Sequence, residues 1–374
     1  MNLLRAAFCM LVLAMGVAGD REALAQGQKR YRIYAITFRG MTDVERGFQE
    51  YFTARRIPVD ITFRDLARDA SKMPGFLDEI RQTRPDLIYT WGTSVTLGVV
   101  GPYDAIDRSK HITDIPVVFT MVAAPVLAKI VPDLASSKRN LTGVYIVAPT
   151  ETQLKAMASY RPIKTLGMLY TPTEQNSVVV LDEVRLLSRK MNFTVIAKPF
   201  KLDAAKKVTN EGAADMVREM KQQGADWLYL PPDSYLNTQT KALIIPAAMD
   251  AKLPTFASTE GLMETGALMG LVARYHSIGQ FTAYKAEQIL VQRKRPETIA
   301  VDTLTRFSLQ VRMDVAEQLK LPPPLPMFNY AELIVPKAAA PATAAVPPVS
   351  PVSPAPAPVP AATTPAPAAA PAKQ

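Results

Sequence analysis

The fold can be predicted from ten residues in the first third of the chain, PDLIYTWGTS at positions 85–94. The apolar run in this stretch indicates a buried strand, and the glycine and hydroxyl residues after it are typical of the start of a helix. Part of the stretch, DLIY at 86–89, is echoed by DWLY at 226–229, a separation of 140 residues. In the same way IPV at 115–117 is echoed by LPT at 253–255. The two halves of the chain therefore contain similar units.

Both halves alternate apolar runs with amphipathic segments. Strands are predicted at 31–38, 59–63, 87–91 and 116–121, then at 166–171, 193–199, 227–231 and 255–258, with second-half helices at 177–190, 213–223 and 238–251. The first helix begins with a capping box at 42–45. One of its faces is apolar and contains Val44, Phe48, Tyr51 and Phe52. Since parallel strands need helical crossovers, this pattern predicts an α/β fold of two Rossmann-like lobes with parallel sheets.

Ligands of such sheets bind beyond the carboxyl ends of the strands, where loops from different units converge. With two lobes, these ends can face each other across a cleft. The loops predicted to line the cleft are 39–43, 92–94, 120–125, 170–176, 232–235 and 258–260.

Composition excludes several kinds of chemistry. The chain has 374 residues, a net charge of +9, one cysteine and two histidines. His111 and His276 cannot build a multi-His metal centre, and no phosphate loop, dinucleotide fingerprint or nucleophile elbow is present. No catalytic, metal or cofactor site is predicted. The basic residues are dispersed, and their longest cluster, 293–295, has no interleaved aromatic residue, so nucleic-acid binding is not expected.

Residues 1–25 form a predicted secretory signal peptide. Arg5 precedes an apolar stretch at 6–18, and Ala23-Leu24-Ala25, with small residues at its first and third positions, offers a cleavage site after Ala25. The stretch is shorter than the roughly 20 residues that span a bilayer. Its removal would also remove the single cysteine. We therefore expect a soluble periplasmic protein without a thiol.

The remainder divides into a globular part and a tail. Residues 26–336 exceed the roughly 250 to 300 residues at which a single core stops growing, which favours two lobes. Residues 337–374 include 15 alanines and 11 prolines and no aromatic residue. Such a segment cannot bury enough apolar surface to offset its ordering entropy, so a disordered tail is predicted.

Five stretches within residues 30–325 follow a known pattern in their order and spacing. They are Pro85 to Ile88 through Gly92-Thr93, Ile115 to Thr120, Asn140 to Val144, Phe256 to Ser258 through Gly266 to Leu268, and Tyr275 through Gly279. Together they resemble the ABC-transporter substrate-binding proteins, a family that includes tryptophan- and other aromatic amino-acid-binding members.

The resemblance implies the type I periplasmic-binding fold, with three crossings between the lobes. The first lobe would comprise 26–146 and about 273–300, and the second 147–272 and about 301–336. A small-molecule ligand and an ABC permease in the inner membrane are the implied partners. Two departures concern the cleft: Ala123-Ala124-Pro125 replaces the usual Gly-Asp-Pro, and Arg39-Gly40 replaces a common His-Pro pair.

In the first lobe, residues 92–94 follow a strand and begin a helix, so their hydroxyl and backbone N–H groups can hold a carboxylate. An ordinary helix cap is the alternative. Arg39 can face an anionic ligand group, or it can form an exposed salt bridge. The first-lobe candidates for ligand binding are Arg39, Trp91, Gly92, Thr93, Ser94, Thr120 and Met121.

In the second lobe, Glu260 and Asp233 are loop acids that can pair with a ligand ammonium group in a partly dry cleft. Solvated surface acids are the alternative. Aromatic side chains at 170 and 235 can provide walls. The second-lobe candidates for ligand binding are Tyr170, Asp233, Tyr235, Ser258 and Glu260.

The sequence thus favours a periplasmic solute-binding receptor of an ABC importer, which closes on a small amino-acid-like or other small organic ligand. Two alternatives remain open. A ligand-sensing receptor for a signalling protein would bind in the same way without a permease partner. An enzyme on the same scaffold is disfavoured because no nucleophile–base or metal signature is present.

Overall fold

A sheet of five parallel strands forms the first lobe. The computed structural model describes residues 29–335, so the predicted signal peptide and Ala/Pro-rich tail lie outside the described residues. The strands are β1 (Tyr31–Thr37), β2 (Val59–Asp65), β3 (Leu87–Trp91), β4 (Val117–Val122) and β5 (Leu141–Tyr145). Their order is β2-β1-β3-β4-β5, and every neighbouring pair is parallel. The carboxyl ends of all five strands therefore lie at one edge.

A second sheet of seven strands forms the other lobe. Its strands are β6 (Thr165–Tyr170), β7 (Thr194–Pro199), β8 (Trp227–Leu230), β9 (Thr255–Ala257), β10 (Met269–Val272), β11 (Ser308–Arg312) and β12 (Glu332–Ile334). The order is β12-β11-β10-β9-β8-β6-β7. Strands β10 and β11 are antiparallel, and the other pairs are parallel.

Helices connect the strands in both lobes. They are α1 (Asp43–Ala54), α2 (Met73–Thr83), α3 (Thr93–Val100), α4 (Thr150–Tyr160), α5 (Gln175–Met191), α6 (Ala213–Gln222), α7 (Ser234–Gln239), α8 (Ile245–Asp250), α9 (Glu260–Glu264), α10 (Tyr275–Leu290) and α11 (Met313–Leu319). Within residues 29–335, no helix combines the length and the apolar character needed to cross a membrane.

All eight predicted strands are confirmed, each with its ends within two residues of the predicted ones. The sheets are nevertheless larger than predicted, because β5, β10, β11 and β12 extend them. The last two follow the return of the chain to the second lobe. This return places β11 antiparallel to β10, an arrangement that a simple strand–helix alternation does not predict.

The predicted capping box at the start of α1 is confirmed. The backbone N–H of Val44 donates to the Thr42 hydroxyl at 3.2 Å, and that of Thr42 donates to the Glu45 carboxylate at 2.8 Å. Phe48 and Phe52 on the apolar face are buried. These contacts fix where the loop after β1 ends, and so help to position the residues of that loop.

Helix α10 returns to the first lobe and packs tightly on α1. A Cβ atom added to Gly279 would lie 1.9 Å from the carbonyl oxygen of Val44. One added to Gly47 would lie 2.1 Å from the carbonyl oxygen of His276. The buried side chains of α10 complete the core of the first lobe beside Ile33, Phe48 and Tyr89; they are Ala283, Ala286, Ile289 and Leu290. The chain therefore passes between the lobes three times.

A buried lysine of α10 bonds to the segment around Asp302, where the chain passes back to the second lobe. Lys285 is 2% exposed and donates to the Asp302 carboxylate at 2.8 Å. The carbonyl oxygen of Asp302 accepts from the Tyr145 backbone N–H at 3.0 Å, at the end of β5. Burial lowers the pKa of Lys285, and hydrogen bonding to the Asp302 carboxylate opposes this shift. These bonds join the crossing segment to the first lobe.

The helix predicted at 238–251 is different in the structure. It begins earlier, at Ser234, because the Asp233 carboxylate accepts the Leu236 backbone N–H at 2.9 Å and caps the helix there. It is then interrupted by a π-helical turn, Thr240–Ile244, before α8. Pro246 in α8 has no N–H to donate to the preceding turn.

Candidate functional site

A cavity lies between the carboxyl ends of the two sheets. It encloses about 530 Å³, part of which opens to solvent. The first lobe contributes Phe38, Arg39, Trp91, Gly92, Thr93, Ser94, Val95, Met121, Ala123 and Ile146. The other lining residues are Glu174, Asn176, Pro232, Asp233, Ser234, Asn237, Thr259 and Tyr275. Each of the six loops predicted to line a cleft contributes at least one residue.

Seven of the twelve predicted ligand-binding residues line this cavity: Arg39, Trp91, Gly92, Thr93, Ser94, Met121 and Asp233. The other five do not: Thr120, Tyr170, Tyr235, Ser258 and Glu260. All six predicted loops therefore reach the cavity, and seven of the twelve candidate side chains line it.

Aromatic and cationic side chains form one wall. The rings of Phe38 and Trp91 are stacked, with centroids 6.5 Å apart and 7° between their planes. The guanidinium of Arg39 lies 5.1 Å from the Trp91 ring centroid, in a cation–π contact. The Nε atom of Arg39 and the Nε1 atom of Trp91 are both buried without a hydrogen-bond partner among the described residues. Two unmatched N–H donors thus belong to this wall.

The start of α3 forms the adjoining part of the cavity. Gly92 has φ +86°, a left-handed conformation that favours glycine, and a Cβ atom there would meet no other atom within 4 Å. Its role is therefore conformational rather than steric. No side chain caps α3, so the first backbone N–H groups of the helix have no intrahelical partner.

Strand β4 is irregular where it reaches the cavity. Met121 has φ +57°, and the pairing of β4 with β5 shifts register between Phe119 and Val122. A bulge of this kind re-aims a side chain, and here Met121 lines the cavity. Thr120 is fully buried instead, and its hydroxyl accepts from Thr282 of α10 at 3.1 Å. Of the two ligand-binding candidates on β4, Met121 therefore lines the cavity, whereas Thr120 is directed toward α10.

Asp233 lines the opposite wall, but its carboxylate is already occupied. Oδ1 accepts from the Leu236 backbone N–H at 2.9 Å and the Thr171 hydroxyl at 3.1 Å. Oδ2 accepts from the Thr171 backbone N–H at 2.9 Å and the Ser177 hydroxyl at 2.6 Å. With four donors and 1% exposure, this group orders the second-lobe loops.

Glu174 is a lining residue that sequence reasoning missed. Its carboxylate accepts from the Ser234 backbone N–H, at 3.0 and 3.2 Å, and from the Ser234 hydroxyl at 2.8 Å. Burial and, next, the charge of Asp233 raise the pKa of Glu174 to about 7. The available signal was an acid inside a predicted cleft loop, at 170–176.

Residues from both lobes meet near Gly261, at the start of α9. The Asn237 amide Nδ2 donates to the Asp233 carbonyl oxygen at 2.9 Å, while its Oδ1 is buried without a partner among the described residues. A Cβ atom on Gly261 would lie 2.9 Å from the Tyr275 hydroxyl oxygen and 3.1 Å from Asn237 Oδ1. It would also lie 3.6 Å from Nη2 of Arg39. Arg39 thus reaches from the first lobe to the surface of the second.

Glu260, predicted to accept from a ligand ammonium group, lies outside the cavity lining and already has hydrogen-bond donors. Its carboxylate accepts from Arg274 Nη1 at 3.0 Å and from the Tyr275 backbone N–H at 2.6 Å. It therefore anchors the start of α10. Tyr235 packs edge-on against Phe200 with centroids 4.7 Å apart, and its hydroxyl donates to Asn210, so it packs within the second lobe and does not line the cavity.

The two remaining candidates also lie outside the lining. Tyr170 ends β6, packed against the second-lobe core. Ser258 follows β9, and its hydroxyl is buried without a partner among the described residues. Over residues 29–335, no group of three or more His, Cys, Asp or Glu side chains is arranged to hold a metal ion.

Comparison with known proteins identifies the family. The profile described as ABC transporter substrate binding protein matches residues 40–331, most of the chain. This chain belongs to that family. A tyrosine-binding protein from Clostridioides difficile (strain R20291) is 24% identical over 267 residues, covering 70% of this chain and 71% of the relative.

Solved structures share the architecture of this chain. An ABC domain from Streptococcus pneumonia in complex with L-Trp has a TM-score of 0.69 at 21% identity, covering 82% of this chain and 100% of the other. A conserved domain protein from Vibrio cholerae has a TM-score of 0.70 at 20% identity, covering 82% and 99%. These similarities establish the two-lobed type I periplasmic-binding fold.

In this substrate-binding protein, the two signs of charge in the cavity come from different lobes. The acid that the resemblance leads one to expect at position 124 is alanine, and Ala123 beside it lines the cavity. The acids of the lining, Glu174 and Asp233, both come from the second lobe, whereas the positive charge of Arg39 comes from the first.

Proposed function

We propose that this protein is the periplasmic receptor of an ABC importer and that it closes its two lobes on a small amino-acid-like ligand. The family assignment supports the association with a transporter. The predicted signal peptide at 1–25 supports the periplasmic location. The ligand would occupy the cavity between the lobes and be passed to a permease in the inner membrane.

One observation carries the proposal. Three polar atoms at the cavity are buried without partners among the described residues: Arg39 Nε, Trp91 Nε1 and Asn237 Oδ1. Buried polar atoms without partners are rare and cost free energy, typically about 1 to 3 kcal/mol each. A polar ligand in the cavity would give these groups the partners that they lack.

The arrangement of these groups suits an amino acid. Donors occur on the first lobe, where Arg39 and Trp91 lie near the start of α3, and acceptors occur on the second lobe, at Asn237 and Glu174. A carboxylate would be directed toward the donors and an ammonium group toward the acceptors. The relatives named for tyrosine and L-Trp agree with a ligand of this class.

Closure would follow from the division of the chain. We propose lobes at 26–146 with about 273–300, and at 147–272 with about 301–336. A ligand that contacts both lobes stabilises the closed form by its differential affinity for the two forms. Arg39, which reaches the surface beside Gly261, would be released from that surface on opening.

The proposal is tested by binding measurements on the chain that begins at Gln26. Thermal unfolding would be followed with each of the twenty amino acids and with uncharged sugars as controls. A ligand at 100 times its dissociation constant should add about 2.7 kcal/mol of stability, or roughly 5 to 10 °C in the unfolding midpoint. Absence of a shift with every amino acid would contradict the proposed function.

The transport role needs a second measurement. Cells that lack this protein should lose high-affinity uptake of the radiolabelled ligand, and expression of the full chain should restore it. Unchanged uptake in cells without the protein, despite tight binding of the ligand in solution, would contradict the importer role and favour a sensing role.

A further inference from the structure

Arg39 carries the only positive charge among the described residues that line the cavity. Its guanidinium lies over Trp91, and no ion pair or hydrogen bond holds it within residues 29–335. Arg39 acts electrostatically on Glu264 of the second lobe: burial and neighbouring acids raise the pKa of Glu264, and the charge of Arg39 opposes this shift only in part. The charge of Arg39 and its N–H donors are therefore available to a ligand.

We propose that Arg39 binds the carboxylate of the ligand and makes this receptor select an acid over the corresponding amide. This inference rests on the proposed function, because it names the group of the amino-acid-like ligand that the first lobe would hold. It assigns to Arg39 a specificity-determining role.

The surrounding groups support a carboxylate rather than a neutral group. Trp91 Nε1 is a second buried donor on the same wall. The centroid of the Trp91 ring lies 5.1 Å from the guanidinium carbon of Arg39. The uncapped start of α3 adds backbone N–H groups and the positive end of the helix dipole. Every polar group named here is a donor, and an oxyanion is the ligand group that accepts from all of them.

The planar guanidinium also suits a carboxylate geometrically. Its Nε and Nη atoms form a fork that matches the two oxygens of a carboxylate, which a lysine ammonium cannot do. The Trp91 ring, which stacks on Phe38, lies against the guanidinium in a cation–π contact. Burial of Nε without a partner is consistent with an edge that is completed by the ligand.

A structural role for Arg39 is the competing explanation. Nη2 of Arg39 lies 3.6 Å from the position that a Cβ atom on Gly261 would occupy. In this explanation the side chain serves only to join the lobes, through electrostatic attraction to Glu264. Such a role would affect closure for every ligand equally. Selection of an acid over its amide would be left unchanged.

The test compares an amino acid with its amide, which keeps the ammonium group and lacks the carboxylate charge. The probe pair is L-tryptophan and L-tryptophanamide, or L-tyrosine and L-tyrosinamide, whichever acid the wild-type protein binds more tightly by calorimetry. Arg39→Gln should weaken binding of the acid by roughly 10- to 150-fold and change binding of the amide by less than about threefold. Arg39→Lys should give an intermediate loss for the acid.

Arg46→Gln is the matched control, because Arg46 lies one helical turn into α1 with an exposed side chain that pairs with Asp43. It should leave both affinities unchanged. Equal losses for acid and amide in Arg39→Gln would overturn the carboxylate assignment while leaving the receptor function in place. Tighter binding of the amide than of the acid by the wild-type protein would overturn it without any variant. Failure of the wild-type protein to bind either probe or any other amino acid would instead overturn the proposed function.

Discussion

Glu174 lies beside Asp233 in the wall of the cavity, and burial together with the charge of this neighbour raises its pKa to about 7. A glutamate in an unfolded chain titrates near pH 4.3. Glu174 therefore holds its proton more tightly in the folded protein than in the unfolded one. Burial of the Glu174 carboxyl beside a second acid makes this wall of the cavity sensitive to pH.

The pH dependence of stability follows from this shift. Below about pH 4 both states are protonated, and the contribution of Glu174 is fully present. As pH rises from about 4.3 to about 7, the unfolded state loses its proton first, and stability is lost. Glu174→Gln should thus be more stable than the wild type at pH 8, by on the order of 1 to 3 kcal/mol, and equal to it near pH 4.

Urea unfolding of the ligand-free proteins at several pH values measures this difference. Glu211→Gln is the matched control, because Glu211 is an exposed second-lobe acid paired only with Lys201. A constant offset between Glu174→Gln and the wild type at all pH values would show that the residue contributes through packing and not through its proton.

Ligand binding should perturb Trp91 more than Trp227. Trp91 lines the cavity, whereas Trp227 is fully buried in the second-lobe core and donates to the Arg161 carbonyl oxygen at 3.2 Å. In the variant Trp227→Phe, ligand should shift the fluorescence of the remaining Trp91. In Trp91→Phe, ligand should leave the emission of Trp227 nearly constant. A response confined to Trp227 would place the ligand elsewhere.

The two second-lobe glutamates should respond differently to loss of charge. Glu174→Gln should weaken binding of an amino acid at pH 8 by roughly 10- to 150-fold, because it removes a charged acceptor from the cavity wall. Glu260→Gln should change the affinity by less than about fivefold, because its ion pair with Arg274 lies outside the lining. Calorimetry at pH 8 compares them. The reverse order of effects would restore Glu260 as the ammonium acceptor.

Close packing of α1 and α10 should make Gly279 intolerant of a side chain. Gly279→Ala places a Cβ 1.9 Å from the Val44 carbonyl oxygen, so the helices must separate, and we expect a loss of about 3 kcal/mol or more in unfolding free energy. Gly75→Ala in α2 is the control: it meets nothing within 4 Å and should stabilise by roughly 0.5 to 1 kcal/mol. Denaturant unfolding would measure both. A neutral Gly279→Ala would contradict the observed packing.

Local signals in the sequence were sufficient for the framework. The capping box at 42–45 and the apolar strands depend on neighbouring residues, so they could be predicted without knowledge of the rest of the chain. The position of the cavity followed from a general rule for parallel sheets, and all six predicted loops reach it.

The choice of side chains within those loops depended on contacts between distant residues. Glu260 is occupied by Arg274, and Asp233 by Thr171 and Ser177, and no spacing in the sequence shows this. Glu174 lines the cavity beside Ser234, although sixty positions separate the two residues. Local patterns could name the loops, but only the assembled fold shows which acids are already satisfied.

Helix α10 has a consequence for the order in which the chain can fold. Its side chains complete the core of the first lobe around Phe48 and Tyr89, yet it follows the strands β6 to β10 of the second lobe in the chain. Domains generally fold as units, from the N-terminus onward, as the chain is synthesised. Here the N-terminal lobe has to wait for a helix that is made last but one, so a nascent chain keeps an unfinished, apolar surface until nearly three hundred residues have emerged. The first lobe can therefore complete its core only late in synthesis, after most of the second lobe has been made.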